Sequence, residues 1–366
     1  EELIAQRDAI LLDVKMGKAV DPLPCIFGTR GVIRTLDEKK RRLINMVPGA
    51  HVMVERMFSA PCTDKMKRFP DTAPMFIGEN LLHRLRRLLQ KDFGYGAASI
   101  QTDISNFDRD IPVWLLEQAF RVLEALLNFS VWEGVKVAPA VEKRYRRWFE
   151  YVKEYFINTP VMLPDGSLRW MVGGVPSGSA LTQLMDSIIN YMIINFLAVR
   201  TGHGVYDTRV LGDDGKLDIA GRPNLEHWAK LLFHWFGMTL SVKKTRIFGR
   251  RFGQKGFLGY DLRSGVLTRP REEFFRLLAH PEREVDSLTK SFTRLTAYMF
   301  LGGVNDLRFC QFFEFFQSCY PLDDVAPEFD YDVRQKMMYA GLEIPIKTLR
   351  QYTVDDFRNG PFGYNR

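Results

Sequence analysis

The sequence predicts an α+β fold, a sheet with helices on one face. Three observations predict it: apolar runs of strand length alternating with helices through the middle of the chain, a Pro-Asp-Gly-Ser turn joining two of those runs, and a Gly-rich loop opening a long apolar helix. In order, residues 98–104 read as a strand. Pro112 suits the first position of a helix running through Leu127, with Leu115, Leu116, Ala119, Val122 and Leu126 along one face. Residues 159–163 and 168–172 flank Pro164-Asp165-Gly166-Ser167, which has the residues of a hairpin turn. The loop Gly173-Gly174-Val175-Pro176-Ser177-Gly178-Ser179 leads into a helix reaching Val199. A strand over 206–211 enters Gly212-Asp213-Asp214-Gly215, and 216–220 is its return strand. Residues 225–236 are helical and stop at Gly237, and 238–242 and 256–262 are extended.

A chain of 366 residues is long enough for two or three subdomains at a prior of ~150 residues each. Hydrophobic residues at 46% and charged residues at 26% are globular proportions, and no apolar run approaches the ~20 residues of a membrane span. Cys25, Cys62, Cys310 and Cys319 lie far apart with no CxxC pair beside a His cluster, so neither a zinc site nor a disulfide framework is indicated. No basic and apolar leader opens the chain, which begins without Met, and we expect it to be part of a longer product.

The net charge of +7 favours an anionic partner, and its distribution says more than its size. Between Gly28 and Pro70, ten basic residues, among them Arg34, Lys40 and Arg42, face four acids. Further basic stretches run Arg84 to Lys91, Lys143 to Arg147 beside Tyr145 and Trp148, and Lys243 to Lys255. One charge run is usually a solvated face; four, interleaved with aromatics, point to a polyanion.

The acids carry the chemistry. One Asp suffices for the turn at Asp213-Asp214, so turn chemistry leaves the second carboxylate unexplained. Two carboxylates about 4 Å apart repel by about 4 kcal/mol at an effective dielectric of 20, a cost that a bridging cation removes. Mg²⁺ takes oxygen ligands and keeps positions open for phosphate. Asp103 ends the strand before it in Thr102-Asp103-Ile104, so a neighbouring strand could set it beside Asp213. Asp103, Asp213 and Asp214 would then hold two divalent ions across the attacking and leaving oxygens of phosphoryl transfer. The plainer reading has Asp103 cap the following helix, although Asp108 and Asp110 lie nearer to it. The loop 173–179 has Ser179 and Ala180 where a phosphate-binding P-loop needs Lys and Ser/Thr. Its Ser177, Gly178 and Thr182 nevertheless place hydroxyls and N–H groups at a helix start, suited to a sugar or phosphate.

The run Asp103-x4-Asp108, then Ser177-Gly178-x3-Thr182 with Asp186-Ser187 and Asn190, then Gly212-Asp213-Asp214, resembles motifs A, B and C of viral RNA-dependent RNA polymerases. The wording Gly-Gly-Val-Pro-Ser-Gly-Ser-x2-Thr-Gln-Leu is similar to the enzymes of partitiviruses and picobirnaviruses, whose genomes are double-stranded RNA. Residues 40–44 resemble the basic motif F, 237–245 motif D and 257–260 motif E, in the family's order.

The resemblance implies a right-hand polymerase with an antiparallel palm sheet backed by helices. Fingers would cover 1–95 and an insertion at 115–170, palm 96–114 and 171–264, and thumb 265–366. Asp103, Asp213 and Asp214 would bind two Mg²⁺ ions, with Mn²⁺ as substitute, and Asp108 would read the ribose 2′-OH. Arg34, Lys40 and Arg42 would meet the triphosphate, and Lys244, with Lys243 as its neighbour and competitor, would protonate the leaving pyrophosphate. Ser177, Gly178, Thr182, Asp186 and Asn190 would complete the nucleotide site. Many members have Asn at the position of Asp186, so here the sugar network needs a protonated carboxyl or another donor such as Asn190. RNA template and product and NTPs are the implied partners, and the host cytoplasm, within the virion, the implied location. The acidic residues Asp323, Asp324, Glu328, Asp330 and Asp332 read either as a solvated loop or as a contact for a capsid protein. The alternatives are a reverse transcriptase, which Asp108 and Gly212 disfavour, and a silent RNA-binding scaffold, which the intact acid set disfavours.

Overall fold

The computed structural model describes residues 1–30, 42–69, 72–76, 81–94, 96–249, 255–263, 265–281, 284–321, 324–339 and 346–359. These form two compact units, one from the chain up to 76 together with 100–246, the other from 81–99 together with the chain from 247 on.

The first unit opens with α1 (Glu2–Met16), β1 (Cys25–Arg30), β2 (Arg42–Met46) and α2 (Gly49–Arg68). The buried stripe of α2, His51, Val54, Glu55, Phe58, Ser59 and Cys62, follows helical spacing but mixes polar with apolar residues. After α3 (Leu81–Gln90) of the second unit, β3 (Ala97–Thr102) carries the chain back into the first. There follow β4 (Ile104–Ser105), α4 (Phe107–Asp110), α5 (Val113–Leu126), the small hairpin β5 (Val131–Trp132) and β6 (Val135–Lys136), α6 (Pro139–Ile157), β7 (Asn158–Met162) and β8 (Leu168–Val172). The unit closes with α7 (Thr182–Arg200), β9 (Val205–Leu211), β10 (Asp214–Ala220), α8 (Leu225–Phe236) and β11 (Thr239–Leu240).

Two sheets matter for the site. The order β2-β1-β7-β8 joins residues far apart in sequence through a parallel pair in which Cys25 faces Val161. One face of that sheet packs Cys25 and Val161 on Tyr155; the other leaves Ile26, Met46, Met162, Leu168, Trp170 and Val172 exposed. In the other sheet β10 lies between β9 and β3, and α7, buried on nearly all sides, packs against β9 and β10. A helix apolar around most of its surface belongs inside, and α7 fills that place.

The second unit continues from β12 (Arg246–Gly249), which begins at its boundary, through the meander β13 (Lys255–Phe257), β14 (Tyr260–Arg263) and β15 (Val266–Thr268). Then come α9 (Arg271–Ala279), α10 (Leu288–Phe300), α11 (Leu307–Cys319), α12 (Tyr331–Tyr339) and α13 (Val354–Asn359). Arg294, 2% exposed, binds Asp330 and donates to Leu277 O. Asp332 faces both Arg294 and Lys336, and Glu328 accepts from Ser287 Oγ. Asp330 and Asp332 are therefore tied inside this unit, while Glu328 stays exposed and Asp323 lies outside the described residues.

Several expectations shift in detail. Pro112 is the cap of α5, extended at ψ 154°, and not its first helical residue. The buried face of α5 uses Phe120 and Leu123, while Val122 and Leu126 are exposed. Residues 256–262 are two strands, because Leu258 and Gly259 both adopt positive φ (55° and 74°) and turn the chain between Phe257 and Tyr260. No helix among the described residues is long and apolar enough to cross a membrane.

Candidate active site

The acids converge in the first unit. β3 ends at Thr102, so Asp103 follows at the edge of the sheet, and Asp213 sits in the two-residue turn joining β9 to β10, with Asp214 opening β10. Gly212 takes the first turn position with φ 62°, the left-handed geometry such turns favour. Like-charge neighbours and burial act on Asp214 together: desolvation first, then Asp213 and Asp103, push its carboxyl up to about 7. Asp103, Asp213 and Asp214 are thus close enough to repel, although among the described residues no three metal-ligand side chains already stand in a coordinating group.

The turn is held from behind by α7. Ser187 Oγ accepts from Gly212 N at 2.9 Å, and the fully buried Asn190 donates its amide to Gly212 O at 3.0 Å and Asp213 O at 2.8 Å. A Cβ on Gly215 would lie 2.6 Å from Thr102 Oγ1 and 3.1 Å from Asn190 Oδ1, so only glycine lets β10 pass this close to β3 and α7. Asp103 is clamped through its backbone: its N–H donates to Thr245 Oγ1 at 3.2 Å and its carbonyl accepts from Ser241 N at 2.8 Å. The same turn, 242–244, exposes both Lys243 and Lys244. β11 pairs with β4, Thr239 opposite Ser105, and brings this turn to Asp103.

Asp108 lies on α4, behind Asn106 in left-handed geometry. The pair Gly173-Gly174, both at positive φ, presses on this short helix, with Gly174 N donating to Ile111 O and Val175 N to Asp108 O at 2.7 Å. Asp186 on α7 is 4% exposed, and desolvation, then Asp108, then Asp213 push its carboxyl well above the usual range. Its Oδ1 has no hydrogen-bond partner. This environment favours the protonated form of Asp186, an O–H donor with Asp108 among its neighbours.

The Gly-rich loop is wired internally. Thr182 Oγ1 has Pro176 O at 2.7 Å and Ser179 O at 2.9 Å as acceptors, so its proton is engaged by the loop. Ser177 Oγ accepts from Asn45 N at 3.0 Å, and Gly178 backs onto Asn45 O so closely that a Cβ would collide with it. Arg42 begins the strand that Ser177 and Gly178 hold, paired with Arg30; Arg34 and Lys40 lie outside the described residues. Asn190, offered by the sequence as a sugar-orienting donor, holds the acidic turn instead. Sequence reasoning gave no bracing role to Thr245, Ser187, Asn45 or Glu55, although all four stand within segments it singled out, Thr245 in 237–245, Ser187 beside Asp186, and Asn45 and Glu55 between Gly28 and Pro70.

A family model described as viral RNA-dependent RNA polymerase matches residues 14–317. The chain is 30% identical over 236 residues to the RNA-directed RNA polymerase of Cryptosporidium parvum virus 1, covering 61% of this chain and 41% of that protein. It is 26% identical over 257 residues to that of White clover cryptic virus 1, covering 61% and 40%. The chain therefore spans about two fifths of the length of these relatives. Among solved structures, a human picobirnavirus RNA-dependent RNA polymerase superposes with a TM-score of 0.61 at 18% identity, covering 81% of this chain and 55% of that one. The Sicinivirus 3Dpol RNA-dependent RNA polymerase gives 0.66 at 15%, covering 93% and 71%. At these identities the likeness shows a shared fold, the α+β right-hand plan.

Proposed function

The chain belongs to the viral RNA-dependent RNA polymerases, and on that premise we propose that it transfers ribonucleotides from NTPs to an RNA 3′-OH under the direction of an RNA template, replicating and transcribing a viral genome. The observation that carries this reading is the convergence of Asp103, Asp213 and Asp214, where burial first and then the charges of Asp213 and Asp103 lift Asp214 to about 7. Carboxylates brought together at the ends of neighbouring strands, with the acidic turn pinned by Ser187 and Asn190 and the Asp103 backbone by Thr245, fit divalent cations. Asp103, Asp213 and Asp214 would hold two Mg²⁺ ions, with Mn²⁺ as substitute, and the metal when bound supplies positive charge at the reacting phosphate.

The chain's own groups do the rest. Asp186, whose burial favours the proton-bearing form, and Asp108 make up the proposed sugar-reading pair, in which Asp108 accepts from the 2′-OH that distinguishes RNA precursors. The Ser177–Gly178 loop shapes the ribose side of the site and ties it to the basic strand that begins at Arg42, with Arg34 and Lys40 on the triphosphate. Lys244, exposed on the turn beside Asp103, is the proposed proton donor to pyrophosphate, with Lys243 the adjacent alternative. Template and product RNA would be held through their backbones by the basic patches, within the virion in the host cytoplasm.

The test is incorporation of labelled NTPs on an RNA template with Mg²⁺ or Mn²⁺, beside Asp213→Ala and a dNTP-only arm. Metal-dependent NTP incorporation, lost in Asp213→Ala with RNA affinity retained, is the expected result. Equal use of dNTPs would favour reverse transcription, and activity retained in Asp213→Ala would sink the acid assignment.

A further inference from the structure

Glu55 lies on the buried stripe of α2 at 1% exposure. Its Oε2 accepts from Ala180 N at 2.8 Å, and the Ser179 hydroxyl also bonds the carboxyl. Its other oxygen, Oε1, has no partner. The titratable groups around it are His51 on its own helix, Cys25 of β1, and Tyr151 and Tyr155 of α6. Burial pulls His51 down to about 4 and raises Cys25 and the tyrosines, so all four are neutral, and among the described residues no Lys or Arg acts on the Glu55 charge. Burial pushes Glu55 itself up to about 7.

A buried carboxyl with one oxygen unmatched and no cation is a poor choice for stability, since an apolar side chain would fill the space without a desolvation penalty. Its hydrogen bonds go to one place, the Ser179-Ala180 step where the Gly-rich loop enters α7, whose N-terminal N–H groups favour an acceptor. Three ties thus run from the β2–α2 segment to this loop: Asn45 N to Ser177, Asn45 O against Gly178, and Glu55 to Ala180. The first two are backbone contacts of β2. Glu55 is the side-chain tie, and it sits immediately past the residues that shape the ribose side of the site.

We propose that Glu55 is a positioning residue for the incoming nucleotide: by fixing the Ser179-Ala180 step it holds the loop in its binding shape, and so governs NTP affinity more than the rate of chemistry. This rests on the polymerase reading above, and the loop's fixation can be read without it.

The experiment compares the purified wild type with Glu55→Ala, Glu55→Gln and Glu55→Asp, by single-nucleotide incorporation and by amide hydrogen exchange over the loop. Glu55→Ala is expected to raise KM for NTP about tenfold with kcat changed less than about threefold, and to lose exchange protection at Ala180. Glu55→Gln keeps an acceptor for Ala180 N–H and is expected to stay within about threefold of the wild-type KM. If Glu55→Ala does not fold, Glu55→Asp, whose carboxyl falls one methylene short, takes its place with the same expected rise. An unchanged KM in the folded shortened variant, a loss confined to kcat, or a Gln variant no better than Ala overturns the proposal. If the wild type incorporates nothing, the polymerase reading fails, and exchange alone decides the tie: protection at Ala180 that ignores Glu55 overturns it, and protection lost in Glu55→Ala but kept in Glu55→Gln upholds it.

Discussion

Gly178→Ala tests the contact between the Gly-rich loop and the basic strand. Gly178 is not at positive φ, so the substitution meets no intrinsic backbone strain, only its surroundings. The added Cβ would collide with Asn45 O and lie 3.2 Å from Val47 N and 3.3 Å from Asn45 C, all backbone atoms that cannot rotate away. Restoring ordinary contact requires the loop and β2 to separate by roughly 1 Å. The Asn45 N to Ser177 Oγ bond, now 3.0 Å, stretches out of hydrogen-bonding range with it. Overpacking of this kind costs about 1–3 kcal/mol and the lost bond about 1 kcal/mol. At ~2–4 °C per kcal/mol, the melting temperature should fall by roughly 5–15 °C. Thermal melting against wild type measures it, with Gly204→Ala as the control, because a Cβ there meets only Ala220 Cβ at 3.7 Å. A melting temperature for Gly178→Ala within about 1 °C of that control would refute the reasoning.

Asn190→Ala leaves Gly212 O and Asp213 O without their donor, a loss of about 2–4 kcal/mol, and incorporation should fall by more than the folded fraction does; equal falls in both would mean that the turn needs no bracing. Asp214 gives a pH signature. With its folded carboxyl raised to about 7, folding binds extra protons between the ordinary carboxylate range and about 7, so its contribution to stability declines as pH rises through that window. Mg²⁺ should therefore raise the melting temperature more at pH 8 than at pH 6, where protons compete for the site, and a shift independent of pH would contradict this. In the second unit, Arg294→Ala takes the buried cation from Asp330 and leaves Asp332 with Lys336 alone, and should cost about 3–5 kcal/mol, read by melting, and a change under ~1 kcal/mol would show that the pair is solvated.

Legibility followed the locality of the signal. α8 has the bounds its sequence suggests because both ends are marked, by Asn224 accepting from His227 N and by Gly237 at φ 71°. The hairpin over 158–172 and the turn at Asp213 were equally local. The N-terminal helix α2 was not read, since His51, Glu55 and Ser59 lie on its buried face and Pro61 lies inside it, which blurs the apolar stripe. The break at Leu258 was missed because a leucine at φ 55° contradicts residue preference. In the site, the acids were legible as types in a pattern. The bonds that hold them were not: Thr245 lies 142 positions from Asp103, and Ser187, though part of the pattern, lies 25 from Gly212. Such pairings are set by strand order, which no local window contains.

The way the chain alternates between its two units governs how it can be born. The first unit needs residues up to 246, and Cys25 cannot find Val161 until the whole intervening stretch exists. At ribosomal speeds of about 5–20 residues per second, α1, β1 and α2 wait roughly ten to fifty seconds for their partners. The segment 81–99 waits in the same way, for the part of its own unit that follows residue 246. During that interval the aromatic and apolar faces of the early elements stand open to solvent, so synthesis rate and chaperone supply, as much as final stability, bear on the yield of folded protein.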